Sequence, residues 1–327
     1  MVVSTAYLLI AHGSRDPRPQ AAMNRLAQLV RERLKEPQAA SLAGANNLRP
    51  NSHQSNSRQQ AGRRRSWPYA AAGPYVAQAT ATAVVERVQG EGSVQTLERT
   101  RTALQGAIVA SRLSERVGDR VLVGTACLEN SPLTLREQIC EFGRRVKAAG
   151  IERLKLVPLF LMRGVHVMED IPAEVSAARQ SLGDGLELCL CPHLGSHTGM
   201  PQLLLKKMTA LSADGHLLVA HGSRRPKGNR QVESLAKSLG TAVAYWSIPP
   251  DLETQVVNLM QQGCQRLIIL PYFLFTGGIT DAVIHLTEEL AERFPKVCFR
   301  LLLPLGATPD VADLVVDLVQ HPNVDTP

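Results

Sequence analysis

The sequence predicts an α/β protein of two similar domains, each a parallel sheet flanked by helices. Three observations carry that prediction. His-Gly-Ser-Arg occurs twice, as His12-Gly13-Ser14-Arg15 and His221-Gly222-Ser223-Arg224, each time after an apolar run. The apolar residues that follow, Met23, Leu26, Ala27 and Val30, recur as Val232, Leu235, Ala236 and Leu239 at the same offset of 209 residues, on the face of a helix. Strand signals also alternate with helix signals, an order that argues for a parallel sheet covered by helices. Two copies of about 100 residues suggest paired domains and not a solenoid.

The first half reads as strands near 6–12, 120–127, 153–161 and 186–192, with helices near 20–35, 132–149, 171–182 and 199–211. The second reads as strands near 216–221, 241–246, 266–274 and 297–304, with helices near 229–239, 251–262, 280–293 and 310–319. Further pairs support the duplication. Pro158-x-Phe160-Leu161-x-x-Gly164 matches Pro271-x-Phe273-Leu274-x-x-Gly277, and Leu194-Gly195 matches Leu305-Gly306. The polar turn Ser212-Ala213-Asp214-Gly215 places the boundary between domains 1–212 and 213–327.

The halves differ in one large way. His12 and Pro158 are 146 residues apart, whereas His221 and Pro271 are 50 apart. The excess is an insertion at about 36–118. Its first part, 36–77, is rich in Ala, Asn, Gln, Ser, Gly and Arg and reads as disordered, because it has too few large aliphatics to offset chain entropy. Residues 78–116 look more helical. Arg63-Arg64-Arg65-Ser66-Trp67 offers basic groups and an aromatic, but no recognised nucleic-acid module surrounds it, so a solvated loop is expected and no nucleic-acid partner.

Composition sets the class. The 327 residues suffice for two cores, and 44 % are hydrophobic. No apolar run reaches the ~18 residues of a membrane span, and the chain opens on a strand pattern without a signal-like basic segment; a cytoplasmic protein is expected. The net charge of +7 owes much to residues 36–80, where five arginines face only Glu36, so it says little about a site. Cys127, Cys140, Cys189, Cys191, Cys264 and Cys298 read mostly as buried, reduced thiols; Cys189-x-Cys191 reads as core packing before metal binding.

Three residues follow strand ends in the first half, where open parallel sheets bind ligands. They are His12, Glu129 in Cys127-Leu128-Glu129-Asn130, and His166 in Gly164-Val165-His166. Alone, His12 reads first as a structural histidine and Glu129 as a loop carboxylate, and His166 can be a surface loop residue. Together, two imidazoles and a carboxylate suit a divalent first-row metal, and such a small set leaves coordination positions open. The same groups can serve as proton acceptors. The spacing is not that of a zinc finger or a His-Glu-x-x-His protease. In the second half only His221 remains. Gly164–Gly277 alignment sets Ile279 in the place of His166, and an offset of 117 sets Trp246 in the place of Glu129. His221 then reads as a remnant or structural group.

These motifs resemble the class II tetrapyrrole chelatases, most closely the long, duplicated sirohydrochlorin chelatases. Ala11-His12-Gly13-Ser14-Arg15, Cys127-Leu128-Glu129, and Pro158-Leu159-Phe160-Leu161 through Gly164-x-His166 to Asp170-Ile171-Pro172 carry the resemblance. It covers both halves except about 36–118, and Arg163 is bulkier than the residue the family often has there. The resemblance implies two α/β domains facing a central cleft and insertion of Fe²⁺ into sirohydrochlorin toward sirohaem, or of Co²⁺ toward cobalamin. A non-catalytic metal or tetrapyrrole carrier is the alternative of another class. His12 and His166 would be the catalytic, metal-binding pair, with Glu129 assisting. Ser14, Arg15 and Arg163 would bind the carboxylate-rich substrate. No cofactor beyond the substrate metal is implied, and a monomer is expected, since the duplication supplies both halves of the cleft.

Overall fold

The computed structural model describes residues 4–35, 121–209 and 211–321. The expected insertion at 36–118, including Arg63-Arg64-Arg65-Ser66-Trp67, lies outside these residues.

The first half builds β1 (Thr5–Ala11), α1 (Pro17–Lys35), β2 (Val123–Cys127), α2 (Leu135–Ala148), β3 (Arg153–Pro158), a π turn (His166–Asp170), α3 (Ile171–Leu182), β4 (Glu187–Leu190) and α4 (Met200–Thr209). The second half repeats this plan with β5 (Gly215–Ala220), α5 (Arg230–Leu239), β6 (Ala242–Tyr245), α6 (Leu252–Gln261), β7 (Arg266–Pro271), α7 (Gly278–Arg293), β8 (Cys298–Leu301) and α8 (Pro309–Gln320). Each half forms a four-stranded sheet, in the orders β2-β1-β3-β4 and β6-β5-β7-β8. Every pairing is parallel. The expected fold class is therefore observed, and its duplication extends to strand order.

The central strands are near-continuously apolar because both of their faces are covered. On one face of the first sheet, Ala6, Leu8, Ile10, Leu154 and Leu156 pack against Leu135, Ile139 and Val146 of α2 and Ile171 and Val175 of α3. The outer face of the second sheet packs likewise on α6 and α7 through Leu217, Val219, Ile269, Val256 and Val283. Between the sheets lies a shared core. Leu9 and Val157 of one sheet and Leu218 and Leu270 of the other enclose side chains of α1, α4, α5 and α8, among them Leu26, Leu204, Val232 and Val315. The order of layers is helix, sheet, helix, sheet, helix.

Two of the ion pairs between the halves are reciprocal. Arg18, at the start of α1, bonds Asp281 in the first turn of α7 at 3.1 Å and 2.5 Å. Arg225, before α5, bonds Glu169 in the π turn at 2.9 Å. Each segment after a first strand thus reaches the segment after the third strand of the other half. The thiols depart in part from expectation. All six are free, but only Cys140 and Cys191 are buried, and Cys298 is exposed. Short edge strand β8 leaves Cys298 open, which an apolar neighbourhood in sequence does not reveal. Among the described residues, no helix is long and apolar enough to cross a membrane.

Candidate metal centre

His12, Glu129 and His166 come together at the carboxyl ends of three adjacent strands. With β1 between β2 and β3, the residues just beyond these strands meet on one edge of the sheet. The β1–β2 pairing runs on past the strands: Leu128 N–H donates to Ala11 O at 2.9 Å and Glu129 N–H to His12 O at 2.8 Å. Gln138 of α2 holds the end of β2, accepting from Cys127 N–H at 2.9 Å and donating to Cys127 O at 2.8 Å. Gly13 makes the close approach possible. Its φ is +93°, and a Cβ there would lie 1.9 Å from Glu129 O.

Each imidazole has one nitrogen engaged and one free. His12 Nδ1 lies 3.2 Å from Gly13 O, a carbonyl that only accepts, so Nδ1 is the donor there, and in the neutral ring Nε2 is the nitrogen with the lone pair. That Nε2 is 3.9 Å from Glu129 Oε2. His166 Nδ1 lies 2.7 Å from Asp170 Oδ2, which likewise leaves Nε2 free. The two rings stand edge to face, with centroids 4.9 Å apart. Phe160 flanks both, at 6.4 Å from His12 and 6.0 Å from His166.

One donor atom from each of the three residues lies within 4.8 Å of the others. Among the described residues no other set of three metal-binding side chains meets this spacing. Donors sharing one ion at ~2.1 Å sit roughly 3–3.5 Å apart, so small side-chain rotations close the set. His12 and Glu129 side chains are each 51 % exposed, which leaves room for that movement and for a ligand on the open side. Cys127 is close by, but burial pushes its thiol pKa up, which favours the protonated form over the thiolate that binds metal.

The proposed substrate-binding residues are less uniform. Ser14 Oγ accepts from Asp16 N–H at 3.1 Å and so serves the turn into α1. Arg15 is exposed, and its guanidinium has no partner among the described residues. Arg163 is also exposed; its backbone N–H donates to Gln231 Oε1 at 3.0 Å and its Nε lies 3.0 Å from Met168 Sδ. Asp170 and Gln138 were assigned no chemical role by the sequence. The signals for Asp170 were its place in the Asp170-Ile171-Pro172 motif and four residues after His166, within a stretch where no helix was expected before Pro172.

The second half requires a correction. Cys127 pairs with Ala11, and Tyr245 pairs with Ala220. Ser247 N–H donates to His221 O at 2.9 Å, as Glu129 N–H does to His12 O. Ser247, not Trp246, therefore stands in the place of Glu129. The offset of 117 holds for the helices, since α2 begins at Leu135 and α6 at Leu252. It fails at the strand end because the β6–α6 loop is one residue shorter. Ser247 Oγ donates to His221 O at 2.8 Å, a local bond with no carboxylate to offer a metal.

The sequence profile of the CbiX family matches residues 97–211 and again 215–321. The chloroplastic sirohydrochlorin ferrochelatase of Arabidopsis thaliana is 30 % identical over 118 residues, 33 % of this chain and 52 % of that protein. The sirohydrochlorin ferrochelatase of Priestia megaterium is 24 % identical over 155 residues, 43 % of this chain and 58 % of that protein. The chain thus spans just over half the length of these two relatives. A sirohydrochlorin cobaltochelatase of Methanosarcina acetivorans is 31 % identical over 106 residues, 31 % of this chain and 78 % of that protein. Among solved structures, SirB from Bacillus subtilis with Fe³⁺ shares the fold, with a TM-score of 0.55 at 15 % identity over 98 % of this chain and 96 % of that one. Two matches to one profile, one in each half, agree with the duplicated sheets and with the family resemblance read from the motifs: the chain belongs to the CbiX family.

Proposed function

We propose that the chain is a sirohydrochlorin chelatase that inserts Fe²⁺ to make sirohaem. One observation carries this reading: His12, His166 and Glu129 converge on an open strand-end site, each with an unengaged donor atom. Relatives that act on sirohydrochlorin supply the substrate. Co²⁺ insertion is the second reading, favoured by the cobaltochelatase relative. In both, the divalent metal is a substrate, and the reaction needs no separate cofactor.

The reaction exchanges one M²⁺ for two pyrrole N–H protons. His12 and His166 hold the metal through Nε2, and Glu129 neutralises part of its charge. Three protein ligands at most leave positions open for pyrrole nitrogens, so the metal is handed over and not trapped. As pyrrole nitrogens displace the imidazoles, the freed Nε2 atoms accept the departing protons, and exposed Glu129 passes them to solvent. A carrier needs only affinity and has no use for these acceptors. In this reading residues 1–212 form the active domain and 213–327 its scaffold, in a cytoplasmic monomer with no nucleic-acid partner.

Anaerobic spectra of sirohydrochlorin with Fe²⁺, Co²⁺ or Ni²⁺ test the activity. Insertion faster than in buffer is expected for Fe²⁺ or Co²⁺; no acceleration with any metal leaves the carrier. Arg15 and Arg163 are expected to grip substrate carboxylates. Arg15→Ala and Arg163→Ala should each raise the KM for sirohydrochlorin about tenfold, the size of one charge-assisted hydrogen bond, with the metal KM unchanged. Unaltered sirohydrochlorin KM removes that role.

A further inference from the structure

The two halves fall out of register by one residue where the first half carries His166. At the strand ends they align at an offset of 113, because Pro158 pairs with Ile10 as Pro271 pairs with Val219. Further on, the buried residues of the helices align at 112. Ile171, Val175 and Ala178 of α3 are 0 %, 3 % and 0 % exposed, and Val283, Thr287 and Leu290 of α7 are 0 %, 5 % and 0 %. The first half therefore contains one additional residue between the strand and the helix core. The π turn His166–Asp170 absorbs it, with Ile171 N–H bonded to His166 O. The second half enters a plain α-helix at Gly278. A π turn is an α-helix with one residue inserted, and such turns recur at functional sites.

The insertion has a chemical consequence. The added residue lies within the turn that carries both partners, and there His166 Nδ1 meets Asp170 Oδ2 at 2.7 Å. At either offset the second half has Gly278 or Ile279 in the place of His166 and Ala282 or Val283 in the place of Asp170. It has neither the imidazole nor its acceptor. The π turn is also held from outside. Glu169 bonds Arg225 of the second half, and the N–H of Arg163 bonds Gln231 of α5. Tyr272 donates its hydroxyl to Leu161 O at 3.3 Å on the same segment.

We propose that Asp170 is a positioning residue for metal handling: through the π turn it fixes the tautomer and direction of His166, so that Nε2 is the nitrogen offered to the metal. The inference rests on the metal role given to His166 above. A carboxylate behind a ligating imidazole sets ring orientation and raises ligand basicity, and its loss typically costs 10–100-fold in metal affinity or activity. An asparagine in its place still accepts from Nδ1 through its amide oxygen, while alanine does not.

The test is anaerobic titration of the full chain with Co²⁺, read by its d–d absorption without tetrapyrrole, for wild type, Asp170→Ala and Asp170→Asn. Steady-state KM values for metal and for sirohydrochlorin accompany it. The expected result is Co²⁺ affinity lowered about 10–100-fold in Asp170→Ala and less in Asp170→Asn, with the metal KM raised in the same order. The KM for sirohydrochlorin and the thermal midpoint should stay near wild type. Wild-type Co²⁺ affinity in Asp170→Ala overturns the inference alone. Equal losses in both variants with a lowered thermal midpoint overturn it in favour of a structural role. A wild-type chain without a d–d band overturns the metal reading of the site and this inference with it.

Discussion

Replacing His166 with alanine is expected to slow metal insertion by about 100-fold or more, the scale on which a positioned acid–base group contributes, while leaving the fold intact. The reasons lie in its surroundings. The His166 side chain is 34 % exposed and lies on a π turn, outside the three apolar cores, so its truncation opens no cavity. It supplies one of only two imidazole nitrogens in the cluster, and its loss leaves His12 and Glu129, an exposed pair 3.9 Å apart. Two ligands hold a divalent ion more weakly than three, and one of the two proposed proton acceptors is gone. His12→Ala should behave alike. Insertion rate at saturating sirohydrochlorin, with far-ultraviolet circular dichroism as the check on folding, measures both. A loss of less than about threefold in either would show that its imidazole is not in the reaction path.

Gly13→Ala is expected to remove both stability and activity, though it adds a single methyl group. At φ +93° any L side chain is strained, and this Cβ would sit 1.9 Å from the carbonyl oxygen of Glu129, a backbone atom tied into the β1–β2 ladder. The chain can relieve that clash only by breaking the Glu129 N–H bond to His12 O, the bond that sets Glu129 beside His12. Strain of this kind costs about 3 kcal/mol, which for a chain of this size lowers the thermal midpoint by roughly 4–5 °C. Gly164→Ala is the control. Its Cβ would meet nothing within 4 Å, and its φ needs no glycine. Gly164→Ala should melt with wild type, and equal melting of Gly13→Ala would show that the strand ends can part without loss.

The architecture was legible because its signals are local. Apolar runs such as Leu8-Leu9-Ile10 and Leu217-Leu218-Val219 are strands covered on both faces, and the repeat after each His-Gly-Ser-Arg marks the face of α1 and α5 that enters the shared core. The convergence of His12, Glu129 and His166 followed from the same reasoning, since residues just past the ends of neighbouring parallel strands share an edge. What was not legible depends on loop length. Helix residues fixed the offset of 117, and a loop shorter by one residue then moved Ser247 into the place assigned to Trp246. The π turn escaped for a related reason. One inserted residue leaves the apolar period of α3 intact and shifts only what precedes it. Asp170 and Gln138 act through bonds to Nδ1 of His166 and to the backbone of Cys127, and neither bond has a signature in residue type alone.

The central claim is that the duplicated fold contains one active centre, in its first half. Its direct test follows the visible spectrum of sirohydrochlorin with Fe²⁺ or Co²⁺ under anaerobic conditions for wild type, His12→Ala, His166→Ala and His221→Ala. His221 keeps its Nδ1 contact to Gly222 O at 3.0 Å but has Ser247 where His12 has Glu129, so its loss should leave the insertion rate within about twofold of wild type. The His12 and His166 variants should fall to the rate in buffer. A His221→Ala variant that loses turnover while His166→Ala retains it would contradict the account and move the chemistry to the second half.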